Sequence, residues 1–168
     1  MLSTFTTIAQ AVEREAEGQA VLDALNAHFA AAAEALESAG LAGETFILSQ
    51  SFPSGDVPSF RLFTENALAV QVMEQIGLEN AWDDAPQQFG FSTVDFEAFA
   101  SIGETNFLYV AQEDYQPVLT SSPLWNGIPF VQANRAYWLG SDVWLFGGPL
   151  SMELLVDTVL EALGTPLS

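Results

Sequence analysis

Segments with apolar residues at helical spacing alternate along this chain with short strand-forming runs, and glycine, proline or serine marks most of the switches. That alternation confines the chain to α/β architectures, because helix faces and strand faces recurring in turn bury best when helices cover a sheet. Thr4–Ser38 reads as helical with a break near Glu13–Gly18, and its second part carries Val21, Leu22, Leu25, Phe29, Ala32 and Leu36 on one stripe. Gly40 and Gly43 end it. Thr45–Ser49 and Phe60–Phe63 read as strands on either side of a loop over Gln50–Pro58. Ala67–Ile76 reads as a helix stopped by Gly77, and Asn80–Thr93 as an irregular aromatic stretch. Asp95–Ser101 is a short helix, Asn106–Ala111 a strand, and Ser122-Pro123 opens another short helix before Gly127. Tyr137–Leu139 and Val143–Phe146 read as strands, and Pro149 starts a last helix through Met152, Leu155, Val156, Val159, Leu160 and Leu163. The expected fold is a three-layer α/β sandwich, with a mostly parallel or mixed sheet flanked by helices. No repeat or linker divides the chain.

Charge excludes several partners. Arg14, Arg61 and Arg135 are the only cations beside 22 Asp and Glu, for a formal net charge of −19. Such a surface repels phosphate backbones and anionic headgroups, which argues against nucleic acid and against membrane surfaces. No apolar run is long enough to span a bilayer, so no direct membrane insertion is expected. Met1–Val12 lacks the basic region and continuous apolar core of a signal peptide. There is no cysteine, which removes thiolate metal sites, disulfides and cysteine nucleophiles.

Catalytic patterns are absent. His28 is the only histidine, sits mid-helix without an i+4 partner, and reads as a surface or satisfied helix residue. No serine occupies a strand-turn-helix elbow, so a hydrolase triad has no candidate. The acidic pairs Asp83-Asp84 and Glu113-Asp114 read as solvated loop caps rather than calcium or catalytic sites. Gly147-Gly148 precedes a helix but lacks the lysine and spacing of a phosphate loop. No enzyme activity, catalytic residue, metal ligand or cofactor is expected.

What the chain has is aromatic side chains outside its regular elements. Trp82, Phe89 and Phe91 fall in one such stretch, and Trp138, Trp144 and Phe146 in another. Any one of these suits a core, but loop aromatics together suit the wall of a ligand site, since the helices and strands already supply Leu, Val and Ile for packing.

The segment Val143-Trp144-Leu145-Phe146-Gly147-Gly148-Pro149-Leu150-Ser151 resembles the closing strand-to-helix signature of class III substrate-binding proteins of iron importers. Ser122-Pro123-Leu124-Trp125, with Ile128-Pro129-Phe130-Val131, Arg135 and Tyr137, is similar to another part of that family, as is Asn66-Ala67-Leu68 leading through Ile76-Gly77-Leu78 to Asn80-Ala81-Trp82. Val94-Asp95-Phe96-Glu97 resembles the family's opening of a short helix. The motifs keep the family's order and spacing over nearly the whole chain. Within the family the resemblance is strongest to ferric hydroxamate-binding proteins. Two positions depart from their pattern: Phe89 stands for a tryptophan, and Phe146 for a tyrosine.

The resemblance implies one lobe of a two-lobed binding protein. Residues 1–40 would be a helical segment linking the lobes, residues 41–168 the C-terminal α/β lobe, and the N-terminal lobe would lie outside this chain. It implies a ferric siderophore, of hydroxamate type, held against Phe89, Phe91, Trp144 and Phe146. Asn66 and Arg61 are expected at the polar edge, Arg61 because it is the only arginine near a motif other than Arg135, which is expected at the surface. The siderophore would coordinate the iron, leaving no protein ligand to the metal. Glu97 would meet arginines of an ABC permease. The location would be periplasmic, or lipid-anchored at the cell surface. A freestanding α/β adaptor or interaction domain without a transport role is the alternative.

Overall fold

The computed structural model describes residues 2–55 and 57–167, so Met1, Asp56 and Ser168 lie outside the described residues. Helix α1 (Leu2–Ala11) is followed by the long α2 (Glu15–Ser38), with the break between them where Glu13 adopts a positive φ of 56°. A hairpin of β1 (Thr45–Ser54) and β2 (Val57–Phe63) leads into α3 (Leu68–Gln75) and the two-residue β3 (Glu79–Asn80). After β4 (Phe91–Val94) come a 3-10 helix (Phe96–Ser101) and β5 (Asn106–Val110). Three short helices follow, α4 (Gln116–Thr120), α5 (Pro123–Asn126) and α6 (Pro129–Gln132), then β6 (Ala136–Trp138) and α7 (Pro149–Ala162).

The sheet order is β4-β2-β1-β5-β6, with β3 beside the start of β1. It is mixed: β1 runs parallel to β3 and β5, and β5 to β6, whereas β1–β2 and β2–β4 are antiparallel. Alternation along the strands feeds two cores. On one face Phe46, Leu48, Phe63, Leu108 and Val110 meet the buried stripes of α2, α3 and α7. On the other face Ile47, Phe60, Leu62, Phe107 and Tyr109 meet Phe99 of the 3-10 helix and Leu119, Trp125 and Phe130 of α4–α6. The result is the three-layer α/β sandwich, with the mixed sheet in the middle.

Three expectations change. The segment Gln50–Pro58 is not a loop, because β1 continues to Ser54 and pairs with β2 as far as Val57. Gly55, with φ of 63°, begins the reversal. Pro53 and Pro58 face each other one pair in from the turn. An antiparallel ladder alternates bonded and non-bonded pairs, so prolines there need not break it.

Val143–Phe146 forms no strand. Val143 and Leu145 are buried and Trp144 is exposed, which is the alternation that reads as a strand. The segment joins no strand of the described sheet, whose order ends at β6. Leu139 N–H still donates to Tyr109 O at 2.8 Å, and Gly140, with φ of 87°, turns the chain away. Apolar alternation reports burial; it does not report a hydrogen-bonding neighbour.

Aromatic residues are also core material here. Phe60, Phe99, Phe107, Trp125 and Phe130 form one network of ring contacts on the second face, among them a stacked Phe107–Phe130 pair at 4.6 Å. His28 Nε2 sits 2.9 Å from Asp157 Oδ1 across the α2–α7 packing, at ion-pair distance but without hydrogen-bond geometry. Arg135 donates to Glu44 Oε2 at 3.0 Å and is half-buried rather than free at the surface.

Candidate functional site

The site begins at the end of β2. Phe63 there is 1% exposed, and its ring lies 5.8 Å from Phe91 and 5.4 Å from Phe146, while Phe91 and Phe146 are 6.0 Å apart. Register explains the first contact, because β2 and β4 place Phe63 directly opposite Phe91. Phe91 therefore belongs to a strand, contrary to its reading as part of an irregular stretch. Trp144 adds a tilted contact to Phe146 at 5.5 Å, and Phe89 lies over Phe91 at 6.4 Å with planes 29° apart. The outer members are open to solvent: Phe89 is 70% and Trp144 58% exposed. Phe89, Phe91, Phe146 and Trp144 thus form one continuous aromatic wall, buried at Phe63 and exposed at both ends.

Local chemistry fixes the loops that carry it. Thr64 N–H donates to Gly90 O at 2.9 Å, Thr64 Oγ1 donates to Asn66 Oδ1 at 2.7 Å, and Asn66 Nδ2 donates to Gln87 O at 2.8 Å. These bonds clamp the β2–α3 turn to the segment bearing Phe89. Gly90 has φ of 74°, and a Cβ there would lie 3.2 Å from Ala67 Cβ, so this close approach needs glycine. Asp84 organises the same segment, accepting from Ala85 N–H at 2.8 Å and from the Ser92 hydroxyl. On the other side, a Cβ on Gly147 would lie 2.0 Å from Ser151 Oγ and 3.2 Å from Trp144 Cδ1. Glycine at 147 lets the chain turn into α7 while Trp144 stays at the wall.

Between the two loops lies a cleft of about 190 Å³, lined by Asn66, Leu68, Phe89, Leu145 and Phe146 among others. Sites that enclose a small molecule usually hold roughly 300–1,000 Å³. This cleft offers one face to a ligand. Asn66 lines it, but its amide is engaged in the turn on both sides. Arg61 lies outside the cleft, next to the wall. Its guanidinium carbon is 5.0 Å from the Phe91 ring and 4.8 Å from the Phe52 ring, and Nη1 donates to Gln50 Oε1 at 2.8 Å. Among the described residues Arg14 and Arg135 hold carboxylates, whereas Arg61 has none in ion-pair range.

Sequence reasoning missed Phe63 and Phe52. Phe63 reads as an ordinary strand residue, and its central place follows from register. Phe52 fell in the segment expected to be a loop. Trp82 and Trp138 stand apart from the wall: Trp82 packs against the second-face core, and Trp138 Nε1 donates to Ala111 O at 3.2 Å. Glu97 is exposed in the first turn of the 3-10 helix. The cap of that helix is Asp95, whose Oδ1 accepts from Glu97 N–H at 3.0 Å. Among the described residues no group of three His, Asp or Glu side chains is placed to hold a metal ion, and no helix is long and apolar enough to cross a membrane.

The chain has clear relatives among solved structures. It superposes on the Fe3+–Desferal-bound siderophore-binding protein FhuD from Vibrio cholerae with a TM-score of 0.86 and 28% identity, covering 96% of this chain and 60% of that one. The fold also matches Staphylococcus aureus SirA, with a TM-score of 0.77 at 16% identity over 99% of this chain and 66% of that one. By sequence, 105 residues are 27% identical to the iron(3+)-hydroxamate-binding protein FhuD of Escherichia coli (strain K12). That alignment takes in 61% of this chain and 35% of the relative, so the chain spans only part of the length of the proteins it resembles. Residues 1–143 match the family model for periplasmic binding proteins, and the chain belongs to that family of binding proteins rather than to a family of enzymes.

Proposed function

We propose that this chain binds a ferric siderophore of hydroxamate type against the wall of Phe89, Phe91, Phe146 and Trp144, and that it docks on the permease of an ABC iron importer through Glu97. One observation carries the binding half. Four aromatic side chains from two separate loops and a strand meet in one wall whose ends are exposed beside a shallow cleft. A large, mostly apolar chelate shell that keeps its iron satisfied needs such a surface and needs no protein ligand to the metal. Arg61 beside Phe91 and Asn66 in the cleft lining, its amide already tied into the turn, are the polar side chains assigned to the edge of that wall. The FhuD of Vibrio cholerae holds Fe3+–Desferal and that of Escherichia coli is named for iron(3+)-hydroxamate binding, and both favour the same chemistry.

In this reading a second lobe covers the open side of the ligand, and the location is periplasmic or lipid-anchored at the cell surface. The cleft volume supports the first point, because one shallow face encloses too little of a ligand for tight binding. Charge sets the expected preference. A multiply anionic catecholate complex loses its hydration on burial and needs basic partners, and this chain has three arginines against 22 acids.

Tryptophan fluorescence tests the reading, since Trp144 is part of the wall. The chain should be quenched weakly but saturably by a neutral or cationic ferric trihydroxamate. Replacing Trp144 by Phe should remove most of that signal. Tighter quenching by a ferric tris-catecholate would overturn the hydroxamate assignment. Absence of saturable quenching by any ferric siderophore, with the fold intact, would overturn the binding assignment.

A further inference from the structure

A second concave surface lies on the opposite side of the sheet from the aromatic wall. A groove of about 300 Å³ runs between the 3-10 helix and α5–α6, lined by Phe96, Ala100, Pro123, Leu124, Ile128 and Pro129 among others. Its floor belongs to the second-face core, whereas the wall packs against the first.

Leu124 stands at its rim with 65% of its surface exposed. Its neighbours Trp125, Ile128 and Phe130 are buried, so this segment places its other large apolar side chains in the core and leaves this one outside. Pro123 and Pro129 open α5 and α6, which fixes φ at both edges and preforms the groove. The fourth feature is charge. Residues three apart in a 3-10 helix eclipse one another, so Glu97 lies one turn from Ala100, directly beside the groove wall. Among the described residues the Glu97 carboxylate takes no ion pair and no hydrogen bond. No arginine lines the groove: Arg14 and Arg135 are committed to Glu17 and Glu44, and Arg61 is held between Phe52 and Phe91. An apolar groove beside an unpaired carboxylate, on a chain of net charge −19, complements an element that pairs an apolar side chain with a cation.

We propose that this groove is the apolar half of the docking surface whose charged half is Glu97. Its occupant is an apolar side chain on a permease segment, within one helical turn of an arginine or lysine that reaches Glu97. The inference rests on the docking role of Glu97 given above and adds to it the contact that holds the partner once charge has oriented it. Exposed charge pairs mainly set encounter and orientation, whereas a desolvated apolar anchor sets the lifetime of the complex.

The test uses cells in which the full-length protein is the sole source of siderophore delivery, with radiolabelled iron uptake and siderophore affinity measured for each variant. Leu124→Ser should lower uptake several-fold at unchanged siderophore affinity and unchanged melting temperature, and Leu124→Met should restore it. Normal uptake by Leu124→Ser, with uptake lost in Glu97→Arg, would overturn the groove and leave the docking role of Glu97 standing. Normal uptake in both variants would overturn the docking role and the groove together. Sedimentation of the wild-type chain covers the other occupant: self-association abolished by Leu124→Ser, with uptake intact, would assign the groove to a second copy and overturn the proposal.

Discussion

Phe63 and Phe89 belong to one aromatic cluster and should fail in different ways. Phe63 is 1% exposed and touches both Phe91 and Phe146, so truncation removes buried area and leaves a void under the wall. Phe63→Ala should cost about 3–5 kcal/mol of stability. Phe89 is 70% exposed and meets the wall at the Phe91 ring. Phe89→Ala should change stability by less than about 0.5 kcal/mol while weakening ferric hydroxamate binding about tenfold, or ~1.4 kcal/mol. Urea denaturation and fluorescence titration of both variants check this pair. Equal loss of stability in the two would mean that the wall is only packing. The exposed end of the wall was legible in the sequence because Phe89 and Trp144 lie in loops. The buried end was not, because an aromatic residue in a strand has the same spacing whether it supports a site or fills a core.

Among the elements, the 3-10 helix separates capping from docking. Asp95 makes the cap bond, with Oδ1 accepting from Glu97 N–H, and Glu97 contributes only a carboxylate in the first turn. Asp95→Ala should cost about 1 kcal/mol, and Glu97→Ala no more than about 0.5 kcal/mol. Thermal melts of both variants are the measurement, and a larger loss in Glu97→Ala would show that its charge serves the fold. The β1–β2 hairpin gives the complementary lesson. Ser, Pro and Gly composition marked Gln50–Pro58 as loop, yet the ladder runs through it because the two prolines face each other and a glycine makes the turn. Composition signals a reversal of the chain without giving its length. Helix α2 was more legible, since Leu25, Phe29, Ala32 and Leu36 form a buried stripe whose period the sequence displays directly.

At the scale of the molecule, charge governs solution behaviour. A net charge of −19 on 168 residues repels itself more in the compact state than in the expanded one. Raising chloride salt from about 0.01 to about 1 M shortens the screening length from roughly 30 to 3 Å. The unfolding midpoint should therefore rise by several degrees over that range, and a flat or falling midpoint would show that self-repulsion is negligible. The sequence by itself determined the layers and the class. Helical and strand periods state which faces must leave water, and two-sided burial of Phe107–Val110 follows from its unbroken apolar run. Composition likewise removed thiolate chemistry from this chain and argued against polyanionic partners without any structure. Tertiary structure alone decided which aromatic residues meet. The wall joins residues from the end of β2, the segment after Asp84 and the entry to α7, which are distant along the chain. Their convergence depends on strand register, on the clamp from Thr64 and Asn66, and on glycine at 90 and 147. Periodicity is a local property of a sequence, whereas a site is a coincidence of distant segments that only packing brings about.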